Sequence, residues 1–421
     1  MLALKFRPGD LISFELPFSL FLFAGMYKAS PGMESLQGIF DLTLAMAIVS
    51  VLFGLLRIAR LGISITHENL KFFAVWGILL VYIIASYATS NRSDYANLKI
   101  LKVAVFTNWA IIAPLFLFTN KEHFERFIRL MLALAVCNAL YAPIFGIRLE
   151  TLGYTAFGSE SYQWLGITVA TGFAIAVVVM LFTRNYAEKG IMGMVAAVTL
   201  FSFLLSGLRQ GVVALFAVGL FVLFSVQGRH KLFPHVIRFA VVLLVIGVIF
   251  FGVKNYFGEK VEAELPLQRL ASLFGENRWE VIESSHRPAL WLEGFHIWFR
   301  NPLLGAGFGA FADLGSTHYP HNYFVELLAE LGLIGFLLGG LLVWMPFRAI
   351  MKQRKINMDW ITACLGVIWV LWFVRMQISG DLTVDRIPLC FSALVVSYIS
   401  RLPKNYPPLS GNVTIGNTPQ S

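Results

Sequence analysis

Long apolar stretches alternate with short polar ones along this chain. Apolar runs of about 17–25 residues, the length that crosses a bilayer as helix, recur about twelve times. They cover residues 11–26, 37–56, 70–88, 99–118, 125–145, 164–183, 190–206, 209–227, 235–253, 321–345, 358–378 and 385–401. The pattern predicts an all-α polytopic membrane protein of about 12 helices. It divides the chain into helices one to nine over residues 1–253, a loop over 254–320, helices ten to twelve over 321–401, and a tail over 402–421. The loop spans about 65 residues, and connections of that length are usually functional. The tail, "LPKNYPPLSGNVTIGNTPQS" after Arg401, is rich in Pro, Asn and Ser and is expected to be disordered. Residues 11–25 are apolar but carry Glu15 and are followed by no small-residue cleavage site, so a first membrane helix is expected there rather than a signal peptide. The pattern shows no internal repeat of the kind many transporters carry.

Composition agrees with the pattern. Hydrophobic residues make up 57% of the chain, charged residues only 14%, and the mean hydropathy is +0.72, which excludes an ordinary soluble domain. The formal net charge of +9 raises nucleic acid as a partner, but no basic patch with interleaved aromatics is present. Sidedness explains the charge better. Twelve helices place both termini on one side. The loops of that side hold about 19 Lys and Arg, against about 8 on the other with the long loop set aside, as the positive-inside rule requires. Both termini are therefore expected in the cytoplasm. Cys137, Cys364 and Cys390 lie in separate apolar segments without metal-ligand spacing and are expected to be buried small hydrophobes.

The residues that suggest chemistry gather on the external side. "LLSGLRQGVVAL" puts Arg209 between Gly207 and Gly211, at the turn into the eighth helix. The free N–H groups of that first turn favour an anion, whereas a lone cation there opposes the helix dipole. An anion site and an arginine snorkelling to the interface both fit. In "ESSHRPALWLEGFHIWFRNPLLGAGFGAF", Pro288 suits a first helical position, which puts Arg287 at a helix start, and Asn301-Pro302 closes the helix. Trp291, Phe295, Trp298 and Phe299 form an aromatic stripe, fit either for the membrane surface or for packing on the bundle. The "GAGFGAF" run follows no strand and reads as a flexible turn rather than a nucleotide fingerprint.

"STHYPHNYFVELLAELGLIGF" raises a different question, because a polar loop with His318, His321 and Asn322 runs straight into a membrane helix. On a continuous helix, Gly332 and Gly335 would lie within about 20° and 40° of His321, turning its face toward a neighbouring helix. A satisfied interface histidine and a catalytic one both fit that position. Glu326 and Glu330 lie inside the same helix, with Arg375 or Arg209 as the expected partners. Arg375, near the external end of the eleventh helix, is a functional candidate in its own right. Metal binding is the rival for His321, yet no DxD, HxxxH or Cys/His cluster lies outside the cytoplasmic segments, and Asp381 and Asp385 stand apart.

These residues carry a family resemblance. The pattern H-N-x9-G-x2-G formed by His321, Asn322, Gly332 and Gly335 is similar to the signature of bacterial O-antigen ligases, as is "SGLRQG" around Arg209. The run from "HRPALW" through "NPLLGAGFGAF" to "HNYFVELLAELGLIGF" resembles the external block shared by O-antigen ligases and polymerases. The resemblance implies a GT-C-like inner-membrane glycosyltransferase that uses no metal, cofactor or nucleotide sugar. It would transfer an assembled glycan from undecaprenyl pyrophosphate to a sugar hydroxyl of lipid A-core in the periplasm. By the same resemblance, Arg209 and Arg287 match arginines that hold the pyrophosphate, and His321 matches the base that activates the acceptor hydroxyl. Asn322, Arg375, Trp291, Gln210 and His318 are the expected substrate-binding residues around them. A polymerase using the same lipid-linked donor is the nearest alternative. The short stretch 146–163, with Arg148 as its one arginine, leans toward the ligase. A lipid or polysaccharide transporter is the more remote alternative.

Overall fold

The computed structural model describes residues 8–10, 12–28, 41–90, 93–145, 147–149, 153–155, 162–225, 286–356 and 358–403. Helices occupy eleven of the twelve predicted stretches. The ninth, 235–253, lies outside the described residues, as do residues 254–285 of the long loop and the tail from 404. In chain order the helices are α1 (Glu15–Lys28), α2 (Leu42–Leu61), α3 (His67–Ala88), α4 (Asp94–Leu101), α5 (Asn108–Leu117), α6 (Lys121–Phe145), α7 (Tyr162–Phe182), α8 (Tyr186–Ser206), α9 (Arg209–Ser225), α10 (Arg287–Arg300), α11 (Phe311–Leu314), α12 (Tyr323–Ile356), α13 (Trp360–Ser379) and α14 (Arg386–Arg401). A π-helical segment, Lys102–Thr107, joins α4 to α5. Among the described residues, seven spans are long and apolar enough to cross a membrane, with α4 to α5 counting as one. The chain is a polytopic helical membrane protein. One departure from all-α is a small antiparallel hairpin, β1 (Ile147–Leu149) with β2 (Gly153–Thr155), in the predicted loop 146–163.

Local chemistry sets many of the boundaries. Asp41, Thr66, Ser93, Asn185 and Asp359 each accept a hydrogen bond from a first-turn N–H of the helix that follows. Gly62 and Gly207, both at positive φ, close α2 and α8. The membrane-length windows of α7 and α13 are 72% buried inside the protein, whereas those of α2 and α3 are 22% and 28% buried. The first pair is therefore core, and the second presents most of its surface outward. Cys364 and Cys390 are buried as expected, but Cys137 is exposed, because α6 turns that position away from the bundle.

The helices run up and down between two ends. At the basal end, Arg401 of α14 donates to the carbonyls of Ser64 and Phe118. A network of ion pairs lies at the same end: Arg57 with Glu15 at 2.7 Å, Arg126 with Asp10 at 3.0 Å and Glu15 at 3.2 Å, and Arg129 with Asp10 at 3.3 Å. The opposite end, where α4, α7, α9, α12 and α14 begin and α3, α8 and α13 finish, holds the residues singled out above.

The expectation that His321 opens a continuous helix is corrected. His321 sits two residues before α12 with φ +59°, and the helix is interrupted at Gly332, where φ is +62° and ψ −160°. The wheel that placed Gly332 and Gly335 on the histidine's face therefore does not hold, since the break resets the helical phase. Gly332 instead admits another backbone. A Cβ there would lie 2.4 Å from the Leu303 carbonyl oxygen, and one on Gly305 would lie 2.4 Å from the Glu330 carbonyl. The "GAGFGAF" run is thus no loose turn. Ala306 and Gly307 donate to the carbonyls of Ala329 and Glu330, while Leu333 and Ile334 donate to those of Pro302 and Leu303. The Tyr82 hydroxyl of α3 reaches the Leu331 and Leu304 carbonyls at 3.1 and 2.9 Å. Backbone groups freed by a helix break inside a membrane protein need such partners. Here the segment after α10 supplies them.

Candidate functional site

Three turns bring the candidate residues to one end. Gly207, in the left-handed conformation, closes α8 and lets the chain reverse directly into α9, so Arg209 and Gln210 are the first residues of that helix. An added Cβ on Gly211 would press on the Phe203 ring at 2.4 Å, so the α8–α9 corner packs tightly against this position. Arg209 is half-buried and Gln210 buried. The Gln210 amide lies 3.4 Å from Gln163 Oε1, which also faces the Ser379 hydroxyl at 3.4 Å. The start of α9 is thereby tied to the start of α7 and the end of α13.

The second turn begins α10. His286 takes φ +55° and Arg287 is the first helical residue, one position ahead of Pro288. The buried face of α10 is Leu290, Gly294 and Ile297, and Gly294 is so close to Val325 that a Cβ would meet it at 2.3 Å. That face packs α10 on the first part of α12. The aromatic stripe lies elsewhere: Trp291, Phe295 and Trp298 are half-buried and Phe299 is 67% exposed. Trp298 donates to the Pro302 carbonyl, and its ring contacts Phe295 and Phe299. Trp291 Nε1 is buried without a hydrogen-bond partner among the described residues.

The third turn carries His321 itself. Asn322 locks it in place from both sides: its Oδ1 accepts from Val325 N at 3.0 Å as an N-cap, and its Nδ2 donates to the Gln377 carbonyl at 2.9 Å. The imidazole is half-buried against the Tyr319 ring, edge-on at 4.5 Å between centroids. His321 Nδ1 has no hydrogen-bond partner among the described residues. Burial lowers the imidazole pKa below its usual value, the charges of Arg287 and Arg375 lower it further, and Asp381 opposes them. Burial raises the Tyr319 phenol, with Asp381 and Glu326 adding to the effect. Arg287 remains a cation despite the downward pull of its burial, with Tyr162 and Tyr319 as electrostatic neighbours.

Arg375 is 5% exposed and stacks on Trp164 and Trp372, at 5.0 and 5.4 Å from the ring centroids. Its Nε and Nη1 make no hydrogen bond among the described residues. Contrary to the expectation from the sequence, neither Glu326 nor Glu330 pairs with Arg375 or Arg209. Both bind Lys99, at 2.5 and 2.6 Å, and all three side chains are fully buried. Lys99, on α4, is buried inside the bundle and not at an exposed helix end. Asp381 and Asp385 do not stand apart either. Tyr95 of α4 donates to Asp381 at 3.2 Å, and Leu382 N donates to Glu326 at 3.1 Å. His318 is exposed and stacks on Tyr95 at 4.8 Å, so it belongs to the rim beside α4 rather than to the imidazole.

His321, Arg287, Arg375, Asp381 and Tyr319 therefore form one electrostatic neighbourhood, with Asn322 as its anchor and the Arg209–Gln210 corner bound to the same end of α13. Lys99, Tyr95, Tyr319 and Gln163 escaped sequence reading. The four-residue spacing of Glu326 and Glu330 was the available signal for Lys99, since one helix face carrying two carboxyls in an apolar run needs a buried cation. This arrangement offers an uncharged base beside guanidinium groups, a set suited to a polar nucleophile and a polyanionic leaving group.

Residues 194–339 match the family model described as O-antigen ligase. The match takes in Arg209, Gln210, Arg287, Trp291, His318, His321 and Asn322, and stops short of Arg375, Asp381 and Asp385. No curated protein matches the chain.

Proposed function

From the match of residues 194–339 to the O-antigen ligase family model, we infer that the chain transfers a preassembled glycan from undecaprenyl pyrophosphate to a sugar hydroxyl of lipid A-core. The superfamily includes O-antigen ligases and polymerases, membrane enzymes that act on lipid-linked glycans. The observation that carries the reading is the placement of His321. It is half-buried, anchored through Asn322, and faced by Arg287 and Arg375.

In this reading a neutral imidazole accepts the proton of the acceptor hydroxyl as that oxygen attacks the anomeric carbon. The bond to the pyrophosphate oxygen breaks on the opposite face, and the configuration inverts. Negative charge grows on the leaving pyrophosphate, so fixed guanidinium groups stabilise the transition state more than the bound donor. Arg287 and Arg209 are the proposed pyrophosphate ligands, with Arg375 behind them. Trp291, Gln210, Asn322 and His318 line the approach. The outward aromatic face of α10 gives the lipid-linked donor a surface to slide along, and the acceptor enters from the aqueous side past His318. The reaction needs neither metal nor cofactor, the fold is GT-C-like with about twelve membrane-spanning helices, and the site faces the periplasm with both termini in the cytoplasm.

The test is a purified reaction containing undecaprenyl-pyrophosphate glycan and lipid A-core. Glycan joined to lipid A-core, with product abolished by His321→Ala, is the expected result. Full activity in that variant removes the base. Chain growth on the donor lipid without lipid A-core makes the protein a polymerase.

A further inference from the structure

Behind the imidazole lies a cluster with more carboxyls than cations. Glu326 and Glu330 are 0% exposed and already occupy Lys99. Asp381, 6% exposed, accepts hydrogen bonds from Tyr95, from Thr383 N and from the Thr383 hydroxyl. Asp385 is also 0% exposed, and neither of its carboxyl oxygens has a hydrogen-bond partner among the described residues. The groups facing Asp385 electrostatically are Glu326, Asp381, Arg375 and the Tyr323 hydroxyl. Among the described residues this makes four carboxyls for two cations, Lys99 and Arg375.

Such an excess cannot persist as bare charge. An ionised carboxylate without a partner in a low-dielectric interior neutralises itself by taking up a proton, because its desolvation outweighs the attraction left to it. A metal ion would be the other solution, but no three His, Cys, Asp or Glu side chains among the described residues are arranged to hold one. Arg375 cannot saturate Asp385 either, since it stacks between Trp164 and Trp372 with Nε and Nη1 unbonded. The cluster also communicates with His321. Asn322, next to the imidazole in the chain, donates to the Gln377 carbonyl four residues before Asp381. Leu382 N, beside Asp381, donates to Glu326 on the same helix that His321 precedes. Asp381 and Arg375 both act on the imidazole, and Tyr319 is edge-on to it.

We propose that Asp385, together with Asp381 and Glu326, forms a buried proton-binding site behind His321, and that this site receives the proton that His321 removes from the acceptor hydroxyl. The second half rests on the glycosyl-transfer reading above; the first stands without it. In the transfer step, the hydroxyl proton passes to the imidazole while the new carbon–oxygen bond forms and the pyrophosphate departs with the electron pair of the broken bond. The imidazolium then gives its proton to the ionised carboxylate Asp381, which acts on the imidazole and is held by Tyr95 and Thr383, while Asp385 keeps the proton it already carries; the imidazole returns neutral. Asp385 is in this sense a positioning and proton-storing residue, since it acts through His321 rather than on the substrate.

Infrared spectroscopy of the purified full-length chain tests the first half without turnover. A protonated buried carboxyl shows a carbonyl stretch that shifts in heavy water. That band is expected in the wild type at neutral pH, absent in Asp385→Asn, and unchanged in His321→Ala. A wild type without the band, or an Asp385→Asn variant that retains it, overturns the site. Should Asp385→Asn fail to fold, Asp385→Glu must move the band, and an unmoved band overturns the site equally. The transfer half is read from turnover: Asp385→Asn should lower kcat by about 10²-fold, the low end of acid–base contributions, with the acceptor KM unchanged and recovery in Asp385→Glu. Unchanged kcat with the band lost removes the proton transfer alone. Full activity in His321→Ala sinks the base reading while leaving the infrared result to stand on its own.

Discussion

The two ends of the bundle treat buried charge in opposite ways. At the basal end Asp10, Glu15 and Glu122 are matched by Arg57, Arg126 and Arg129, with each ion pair between 2.7 and 3.3 Å. In the cluster at the site end the four carboxyls Glu326, Glu330, Asp381 and Asp385 face two cations among the described residues, Lys99 and Arg375. His321 Nδ1, Trp291 Nε1, two nitrogens of Arg375 and both oxygens of Asp385 have no hydrogen-bond partner among the described residues. Native interiors leave few such groups, and those that remain mark strain, a ligand or a catalytic role. The balanced end fixes helices. The unbalanced end has unused bonding capacity for something that arrives.

Substitutions can break this comparison, beginning where the effect is largest. His321→Ala should lower turnover by about 10²–10⁴-fold and leave the thermal transition unmoved, because its Nδ1 holds nothing in place; a matching loss of stability would make the residue structural. Lys99→Met leaves Glu326 and Glu330 without their cation and should cost about 3–5 kcal/mol of stability. Thermal unfolding in detergent reads that loss, and Lys99→Met with both glutamates changed to Gln should recover most of it. Arg57→Ala at the balanced end removes one of two cations on Glu15 and should cost about 1.5–3 kcal/mol with kcat intact. A fall in kcat as large as that of His321→Ala would erase the distinction between the ends.

A pH series sharpens it. A base must be neutral to act, and burial together with Arg287 and Arg375 lowers the His321 pKa. Turnover should therefore persist below the ordinary imidazole value of about 6.5 and disappear only as pH falls through the lowered one. Arg287→Gln withdraws one of the lowering charges, so the His321 titration, followed by NMR with labelled histidine, should move upward; a downward move contradicts the placement. The smallest effect is expected of Asn322→Ala, about 1 kcal/mol for the lost N-cap together with the bond to the Gln377 carbonyl. Its kcat should fall more than its stability, since the backbone at His321 is no longer held.

Much of the architecture was legible because bilayer thickness forces apolar runs of fixed length, and eleven of those runs are helices here. The corner at Arg209 was legible for a similar reason, since two glycines flank a helix start. What escaped notice were relations between distant segments. Nothing in "DYANLKILKV" distinguishes a lysine at a helix end from one that reaches inward to Glu326, over two hundred residues away. The break at Gly332 leaves no mark in the sequence because helical periodicity continues on both sides of it, and only the backbone of residues 302–307, packed against it, makes a positive-φ glycine necessary. Asp385 carries little signal in the sequence, because a carboxyl pair four residues apart means little until the groups around it are known.

The Lys99 pairing has a consequence for how the protein is made. The lysine lies in the span Asp94–Leu117 and its glutamates in the span Tyr323–Arg354, 231 residues later in the case of Glu330. A lysine opposes insertion by about 2.5–3.5 kcal/mol at a helix centre and by less near an end, where Lys99 lies, and the counter-charge emerges from the ribosome long after α4 has entered the bilayer. Until α12 is synthesised, α4 must keep that ammonium near the lipid headgroups. The final depth of α4 is therefore set late in biogenesis, when the arrival of Glu326 and Glu330 draws Lys99 inward and closes the bundle around the site.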